Sequence, residues 1–419
     1  MAIGTGSLQI QMSTDDGVTW TQGTLPASAS DLFAIAYDET TALWVLAGNS
    51  SSTNRVWTSP DGVTWTSRSL SSPLANTLDY GSFTYDSAND RYILPGPAKG
   101  TGSGSNLNIQ TSADGQTWAN EDVSNLAGAP GIFGIDVNPA TGVWVAVGSI
   151  GDIYVSNDNG DTWTKKTSGT VNTLWTVKFH SAMTNEWVIV GENGTTLHSA
   201  DDGASWTLNT TVTGSPDLVD VACDGTVWVA VARGGSNAYT STNGTSWTAR
   251  AIGSTQSLYC IDVHRNPVAG TSNFVAAGEN SNTPKLFTSP DGVTWTERTS
   301  PGTNRQWHCI LFIPDNDVGN KASETGTFYM VCEDEDGAYT SPDGVTWTAV
   351  SPGTWLGQSF LDAGVLMNCM AYAKTSKNKS MFVVAQGQGN FTLAQKGGIN
   401  DPQPVLGLFY YCAAAYTND

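Results

Sequence analysis

The stretch TSPDGVTW at residues 58–65 decides the fold, because it returns unchanged at residues 288–295 and 340–347. Two variants of its last seven residues, SADGQTW at 112–118 and STNGTSW at 241–247, keep the same order of residue types. Glycine permits the positive φ of a tight turn, and a short Asp or Asn side chain accepts hydrogen bonds from the backbone of its own turn. The copies therefore predict a set of equivalent β-hairpins that each end in a tryptophan.

A longer form of the motif has one extra residue before the glycine, at residues 13–20, 156–163 and 199–206. We call both forms the box. The tryptophans that end the eight boxes lie 41 to 53 residues apart along the chain. They are Trp20, Trp65, Trp118, Trp163, Trp206, Trp247, Trp295 and Trp347. A repeat of this length in a chain rich in Gly, Thr, Ser and Val is typical of propeller blades with four strands each.

A short apolar segment follows each box, and its third residue is small and uncharged in seven of eight copies. These residues are Ala34, Ser82, Gly134, Thr176, Cys260, Cys309 and Cys369, and the exception is Asp220. We interpret the segments as the innermost strands, where neighbours crowd around a central axis. Cysteines in such strands act as small apolar residues, and the six cysteines of the chain contain no CxxC pair.

The box resembles the Asp-box of sialidase-like β-propellers, and the resemblance covers nearly the whole chain. It implies an all-β fold, namely an eight-bladed β-propeller of four-stranded antiparallel blades; the alternative is a seven-bladed ring with a spare terminal unit. The resemblance gives the box residues a structural role. Besides the eight tryptophans, these are Asp15, Asp61, Asp114, Asp158, Asp201, Asp291 and Asp343.

Both ends of the chain are expected to complete one blade. The hairpin at 7–22 has no preceding inner strand, and the strands within 367–395 have no proper box. Pairing them would close a propeller domain over residues 1–403. The apolar tail at 404–419 then serves as a closing strand or as a segment that docks on a partner or forms a homo-oligomer.

Composition excludes several classes of function. The net charge is −20 with only 18 Lys and Arg, so we expect no binding of nucleic acid, whose phosphates need clustered positive charge. The longest apolar run is too short to cross a bilayer, so we expect no membrane insertion. The first residues lack the basic and apolar parts of a secretory signal, which predicts assembly in a cytoplasm.

No catalytic residue, metal or cofactor is predicted. The sialidase resemblance implies three converging arginines, a Tyr–Glu pair and an Asp acid, but the Arg-(Ile/Leu)-Pro signature of that family is missing. The four histidines lack the spacing of metal ligands, and the chain has no G-x-S-x-G, P-loop or H-E-x-x-H motif.

Binding residues are expected on the face that carries the links between blades and the turns between second and third strands. The candidates are Tyr80, Trp175, Tyr259, Arg305, Trp307, His308 and Trp355. Aromatic faces suit sugar rings, and loops on rigid scaffolds often carry recognition. Trp175, Tyr259 and Trp307 also fit the inner-strand pattern, so a place in the core is the alternative for them.

The near-identical TSPDGVTWT repeats resemble propeller proteins of bacteriophage virions, especially tail-associated ones. This resemblance implies a non-enzymatic scaffold, either structural or binding a receptor or glycan. Its partners would be other virion proteins and a cell-surface glycan, and it would be located in the virion after assembly in the host cytoplasm, or extracellularly. The alternatives are a sialidase-like glycoside hydrolase and an assembly factor resembling the photosystem-assembly propellers.

Overall fold

The structure is a computed structural model that describes most of the repeat region. The described residues are 9–13, 21–23, 31–38, 41–50, 53–70, 84–86, 91–95, 109–121, 132–138, 140–183, 186–209, 212–266, 271–280, 283–301, 307–314, 326–332, 338–349, 366–374 and 380–387. Within these ranges, no helix has the length and apolar character needed to cross a bilayer. The only helical elements there are the 3-10 turns Ser149–Gly151, Ser181–Met183 and Glu192–Gly194.

Almost all other regular structure in these ranges is β-strand. The first half contains β1 Gln9–Ser13, β2 Thr21–Gly23, β3 Asp31–Asp38, β4 Leu43–Ser50, β5 Thr53–Ser59, β6 Thr66–Arg68, β7 Thr84–Asp86, β8 Arg91–Pro95, β9 Ile109–Ser112, β10 Ala119–Asn120, β11 Ile132–Asn138, β12 Val143–Gly148, β13 Ile153–Ser156, β14 Thr164–Lys166, β15 Leu174–His180, β16 Glu186–Gly191, β17 Thr196–Ser199 and β18 Thr207–Asn209. The second half contains β19 Asp217–Cys223, β20 Trp228–Arg233, β21 Gly235–Ser241, β22 Thr248–Asn266, β23 Thr271–Asn280, β24 Thr283–Ser289, β25 Thr296–Arg298, β26 Trp307–Pro314, β27 Gly326–Cys332, β28 Ala338–Ser341, β29 Thr348–Ala349, β30 Leu366–Lys374 and β31 Ser380–Gly387.

The strands form six four-stranded antiparallel sheets and one seven-stranded sheet. The long strand β22 is the outer strand of one unit at its start and the inner strand of the next unit at its end. Dividing the seven-stranded sheet there gives eight units of four strands. We number the blades from blade 1 (β3–β6) to blade 7 (β26–β29), with blade 5 ending and blade 6 beginning inside β22. The prediction of an all-β propeller is confirmed.

The eighth blade contains strands from both ends of the chain, in the order β2-β1-β31-β30. Strand β1 pairs antiparallel with β31, so that Gln11 lies opposite Val384. Strand β30 in turn contacts β3 of blade 1 and β27 of blade 7. From blade 1 to blade 7, the inner strands of successive blades contact one another. The segment 404–419 lies outside the described residues.

Each box that the structure describes is a turn built around one Asp or Asn side chain. In the box of blade 1, Asp61 Oδ1 accepts hydrogen bonds from the backbone N–H groups of Val63 (2.9 Å) and Thr64 (2.8 Å) and from the Ser59 hydroxyl (2.8 Å). The indole Nε1 of Trp65 donates to the carbonyl oxygen of Gly62 at 3.1 Å. The same arrangement of Asp and backbone donors recurs at Asp114, Asp291 and Asp343. Asp15 and Trp20 lie outside the described residues.

Asp158 and Asp201 in the longer boxes bind the backbone differently, because the turn contains one more residue. Their Oδ1 atoms accept one backbone N–H four residues ahead, at 2.8 and 2.9 Å. The extra residue has positive φ in both turns and gains a partner in the second strand of its blade. Asn159 accepts the indole N–H of Trp144 at 3.3 Å, and Asp202 accepts that of Trp187 at 3.0 Å.

The boxes also hold the blades together, because those of blades 2 to 7 pack onto the preceding blade. Gly292 of blade 6 has φ +70°, and a Cβ there would lie 2.5 Å from Val229 Cγ2 on β20 of blade 5. Trp163 of blade 3 belongs to a buried cluster with Ile93 and Ile109 of blade 2. The core therefore lies between the blades, where both faces of the second strands are covered.

Candidate binding face

The links between blades and the turns between second and third strands meet on one side of the ring. In blade 4, the backbone N–H of Glu192 in such a turn donates to the carbonyl of Thr173 in the preceding link at 2.9 Å. Asn172 Nδ2 in that link donates to Thr195 Oγ1 at 2.8 Å. We call this side the link face, defined by the links 167–173 and 251–257 and the turns 149–152, 192–195 and 233–235.

A β-bulge lies near the link face in seven of the inner strands that the structure describes. At each bulge the register with the second strand shifts, and one residue of the inner strand has no opposite residue in the ladder. These residues are Phe33, Phe133, Trp175, Val219, Tyr259, His308 and Asn368. A bulge bends its strand and redirects a side chain. The predicted binding residues Trp175, Tyr259 and His308 thus occupy equivalent positions around the ring.

The predicted binding residues whose side chains the structure describes, Trp175, Tyr259 and Trp307, lie on three different blades. Trp175 is 6% exposed and lies against Phe133 of the neighbouring blade, with ring centroids 4.9 Å apart, and Trp307 is fully buried. These two aromatic rings are packing residues in this structure. His308 lies on β26, but its side chain lies outside the described residues, as do Tyr80, Arg305 and Trp355 entirely.

Among the bulge residues whose side chains the structure describes, Tyr259 alone is only partly buried, and its hydroxyl has a polar partner. Its hydroxyl donates to Glu279 Oε1 on β23 at 2.7 Å. Burial raises the pKa of Tyr259 well above its usual value, and the adjacent Glu279 carboxylate adds to the rise while Arg233 opposes it. The tyrosine therefore keeps its proton and acts as a donor. Glu279 carries no signal in the sequence, because it stands at the end of an apolar strand.

Three carboxylates lie along the inner strands, and each joins two blades. Every one accepts the backbone N–H of the next residue in its own strand and a second N–H from the inner strand of the following blade. Asp136 accepts from Val137 (3.0 Å) and Phe179 (2.8 Å), Asp220 from Val221 (2.9 Å) and Ile261 (3.0 Å), and Asp262 from Val263 (2.8 Å) and Phe312 (2.7 Å). An inner strand is the edge of its sheet, and these bonds satisfy edge N–H groups that would otherwise stay unpaired.

The same three carboxyl groups have raised pKa values. Burial within the ring is the main cause of the rise at each site, whereas the positive charge of Lys178 lowers all three pKa values. For Asp220, burial together with the negative charge of Asp262 raises the pKa to about 6. Asp220 is the one charged residue at the third position of the inner strands, and its bond to Ile261 N explains that exception.

The link face also exposes apolar side chains. Val171 in the link to blade 4 is 81% exposed, and Ile150 in the turn of blade 3 is 56% exposed. Ile150 has φ +51°, a conformation that a β-branched residue adopts only at a cost. The equivalent turn of blade 4 places Asn193 there, which tolerates positive φ far better.

Neither a metal site nor a cofactor site emerges from the described side chains. Within the described ranges, no group of three or more His, Cys, Asp or Glu residues is placed to hold a metal ion. The box carboxylates are occupied by their own turns. The three inner-strand carboxylates accept backbone hydrogen bonds, whereas Tyr259 and Glu279 place a hydroxyl and a carboxylate together near the link face.

No protein-family model and no curated protein matches the sequence. Solved structures do match it. The computationally designed Ika8 protein has a TM-score of 0.52 at 12% identity, over 86% of this chain and 98% of that one. A structure of YCF48 bound to D1 peptide has a TM-score of 0.50 at 13% identity, over 88% of this chain and 100% of that one. The chain has the β-propeller fold. At such low identity the likeness shows the fold alone.

Proposed function

We propose that the protein is a non-enzymatic scaffold whose link face binds a receptor or glycan. The observation that carries this proposal is the use of the inner carboxylates. Asp136, Asp220 and Asp262 lie on inner strands, and each accepts one backbone N–H from its own strand and one from the next blade. Carboxylates held in this way stabilise the ring and are poorly placed to transfer protons.

Exposed apolar side chains on the link face support the proposal that this face binds a partner. Ile150 keeps a strained backbone while its apolar side chain faces solvent. Strain of this kind persists where the surrounding structure imposes it, and it is concentrated at functional positions. Val171 exposes a second apolar side chain on the same face. A solvent-facing apolar pair on a rigid rim is a favourable contact for a partner.

The setting that we propose is a bacteriophage virion, with the ring in a tail-associated position after assembly in the host cytoplasm. The support is the near identity of the TSPDGVTWT repeats, which resemble those of virion propellers. Its partners would be other virion proteins and a cell-surface glycan. An acidic surface with net charge −20 would help to keep such a component soluble before assembly.

A protein partner on the link face is the second candidate. The exposed pair Ile150 and Val171 favours it, because apolar side chains at a rim contact protein surfaces well. One of the similar folds is described as bound to a peptide, which makes peptide binding a reasonable test for this chain.

The proposal is tested with the purified chain on a glycan array, in parallel with a screen of fluorogenic glycosides. Specific binding without hydrolysis is the expected result. The variant Val171→Glu should weaken binding, whereas Val293→Glu, an exposed valine at a box tip, should not. Turnover of any glycoside would contradict the non-enzymatic assignment. A blank array together with capture of virion proteins would favour the protein partner.

A further inference from the structure

We propose that the tips of two neighbouring boxes form a docking surface for a protein partner that carries basic side chains next to apolar ones. A tip is the set of exposed residues in one box, namely Pro290, Asp291, Val293 and Thr294 in blade 6 and Pro342, Asp343, Val345 and Thr346 in blade 7. The strands of a blade are antiparallel, so the turn between the third and fourth strands lies at the opposite end from the turn between the second and third. The tips therefore lie on the side of the ring opposite the link face, and the inference is independent of the proposed function.

Exposed apolar side chains are the first reason to expect a partner at the tips. Val293 and Val345 occupy equivalent positions and are 40% and 38% exposed. The other large apolar side chains that are exposed among the described residues are Ile150 and Val171, on the link face. Val63, at the same position in blade 1, is only partly exposed. Since the proline of each tip is exposed as well, blades 6 and 7 each present a proline and a valine to solvent.

The two tips are close neighbours, because one side chain connects their boxes. The Nδ2 group of Asn273 in blade 6 donates to the carbonyl oxygen of Asp343 in the box of blade 7 at 2.8 Å. The next residue, Phe274, lies opposite Ser289, which begins the box of blade 6. The two proline–valine tips thus belong to one surface that a single partner can cover.

The turn itself requires neither the proline nor the valine. In the box of blade 5, Thr242 and Thr245 stand at the same two positions. Asn243 Oδ1 there accepts the backbone N–H groups of Thr245 and Ser246 at 3.0 and 2.9 Å. In the box of blade 6, Asp291 Oδ1 accepts the two equivalent N–H groups at 2.8 and 2.7 Å. The same turn forms with threonine at both positions, so the proline and valine are properties of the surface.

The charge of the tips indicates which partner fits. The eight boxes contain no lysine or arginine but ten aspartates, namely Asp15, Asp16, Asp61, Asp114, Asp158, Asp161, Asp201, Asp202, Asp291 and Asp343. Although partial burial opposes it, backbone donors hold the pKa values of Asp291 and Asp343 below their usual range, so both tips are negative at neutral pH. A nucleic acid, an anionic membrane or the boxes of a second copy would be repelled. A protein surface with Lys or Arg beside an apolar residue pairs with the carboxylates and covers the valines.

The experiment selects random peptides from a display library on the full chain. The selected peptides are expected to place Lys or Arg next to an apolar residue, and raising the ionic strength should weaken their binding. The test variant combines Pro290→Thr, Val293→Thr, Pro342→Thr and Val345→Thr, which gives both tips the residues that the chain already uses in blade 5. Binding of the selected peptides should fall roughly ten- to a hundredfold, because the apolar contacts to both valines are lost.

The double variant Ala200→Thr, Ala204→Thr is the matched control, because it introduces threonine at the exposed tip of blade 4. It should bind the selected peptides like the parent protein, as should Val171→Glu on the link face. The melting temperature of every variant shows whether its fold is intact.

Equal binding by the folded test variant and the parent would overturn the docking surface. A library that yields no binder, or one that yields only acidic or uncharged peptides, would overturn it as well. Self-association of the parent that disappears in the test variant, measured by analytical ultracentrifugation, would assign the surface to a second copy and overturn the basic partner. None of these outcomes bears on the link face, which the glycan array tests separately.

Discussion

Replacing the box glycine Gly292 with alanine tests how the blades are held together. Alanine at φ +70° costs about 1–2 kcal/mol, because its Cβ crowds the backbone. The new Cβ would also lie 2.5 Å from Val229 Cγ2 and 3.4 Å from Thr240 Cγ2 of the preceding blade. Relieving that overlap in a packed core costs about a further 1–3 kcal/mol. The free energy of unfolding should therefore fall by about 2–5 kcal/mol in total.

Gly169→Ala is the matched control for the backbone effect. Gly169 has φ +77°, close to that of Gly292, but its added Cβ would meet only Leu208, with Cδ2 at an ordinary 3.5 Å and Cβ at 3.9 Å. Its cost should be limited to the backbone part, about 1–2 kcal/mol. The difference between the two variants isolates the packing of the box against the neighbouring blade.

Urea unfolding followed by tryptophan fluorescence provides the assay, because the box tryptophans lie at the interfaces between blades. The midpoint should fall clearly further for Gly292→Ala than for Gly169→Ala, with a similar dependence on urea. Equal losses for the two variants would refute the packing of the box on the preceding blade. The turn would then need glycine for its backbone alone.

Two further predictions concern buried polar groups. The variant Trp187→Phe loses the hydrogen bond between the indole and Asp202, whereas the indole nitrogen of Trp228 is buried without a hydrogen-bond partner among the described residues. Trp187→Phe should therefore lower the free energy of unfolding by about 1–2 kcal/mol more than Trp228→Phe does. Equal shifts in melting temperature for the two variants would contradict this. The pKa of Asp220 is raised from 3.8 to about 6, so its contribution to stability is present at low pH and is lost as the pH rises through 6. The protein should be about 1 kcal/mol more stable at pH 5 than at pH 7.5 through this group, and urea titrations of Asp220→Asn should show a smaller difference. An unchanged pH dependence in that variant would remove Asp220 as the cause.

The box carboxylates act in the opposite direction and at lower pH. Although partial burial opposes it, the backbone donors Thr64 and Val63 hold the pKa of Asp61 below its usual value. Such a group stabilises the fold above its unfolded pKa and ceases to do so as the pH falls through its folded pKa. Its effect therefore lies below pH 4 and stays separate from that of Asp220.

The propeller fold could be predicted from the sequence because the box is a local motif. The turn from Ser59 to Trp65 satisfies its polar groups within seven consecutive residues, so the copies keep the same order of residue types. The inner strands were predictable for a related reason, since crowding at the axis restricts their third residue. A Cβ at Gly134 would lie 2.8 Å from the Trp175 carbonyl oxygen of the next blade.

The contacts between blades could not be read from the sequence in the same way. Asp262 and the N–H that it binds on Phe312 are 50 residues apart, and no local pattern connects them. The missed group Glu279 meets Tyr259 only through strand pairing after a bulge. For Trp175 the sequence leaves two interpretations open, because an aromatic residue at the start of an inner strand fits the core and a binding site equally well.

The closed ring is tested most directly by a disulfide between the two ends of the chain. Gln11 and Val384 lie opposite each other in the eighth blade, and directly opposed residues of antiparallel strands have Cα atoms about 4.5–5.5 Å apart, within the range for a disulfide. After mild oxidation of the double variant Gln11→Cys, Val384→Cys, peptide mapping by mass spectrometry should find these two positions linked within one chain. Gln11→Cys alone should give no such link. A double variant that stays reduced, or that links only between chains, would contradict the closure of the ring.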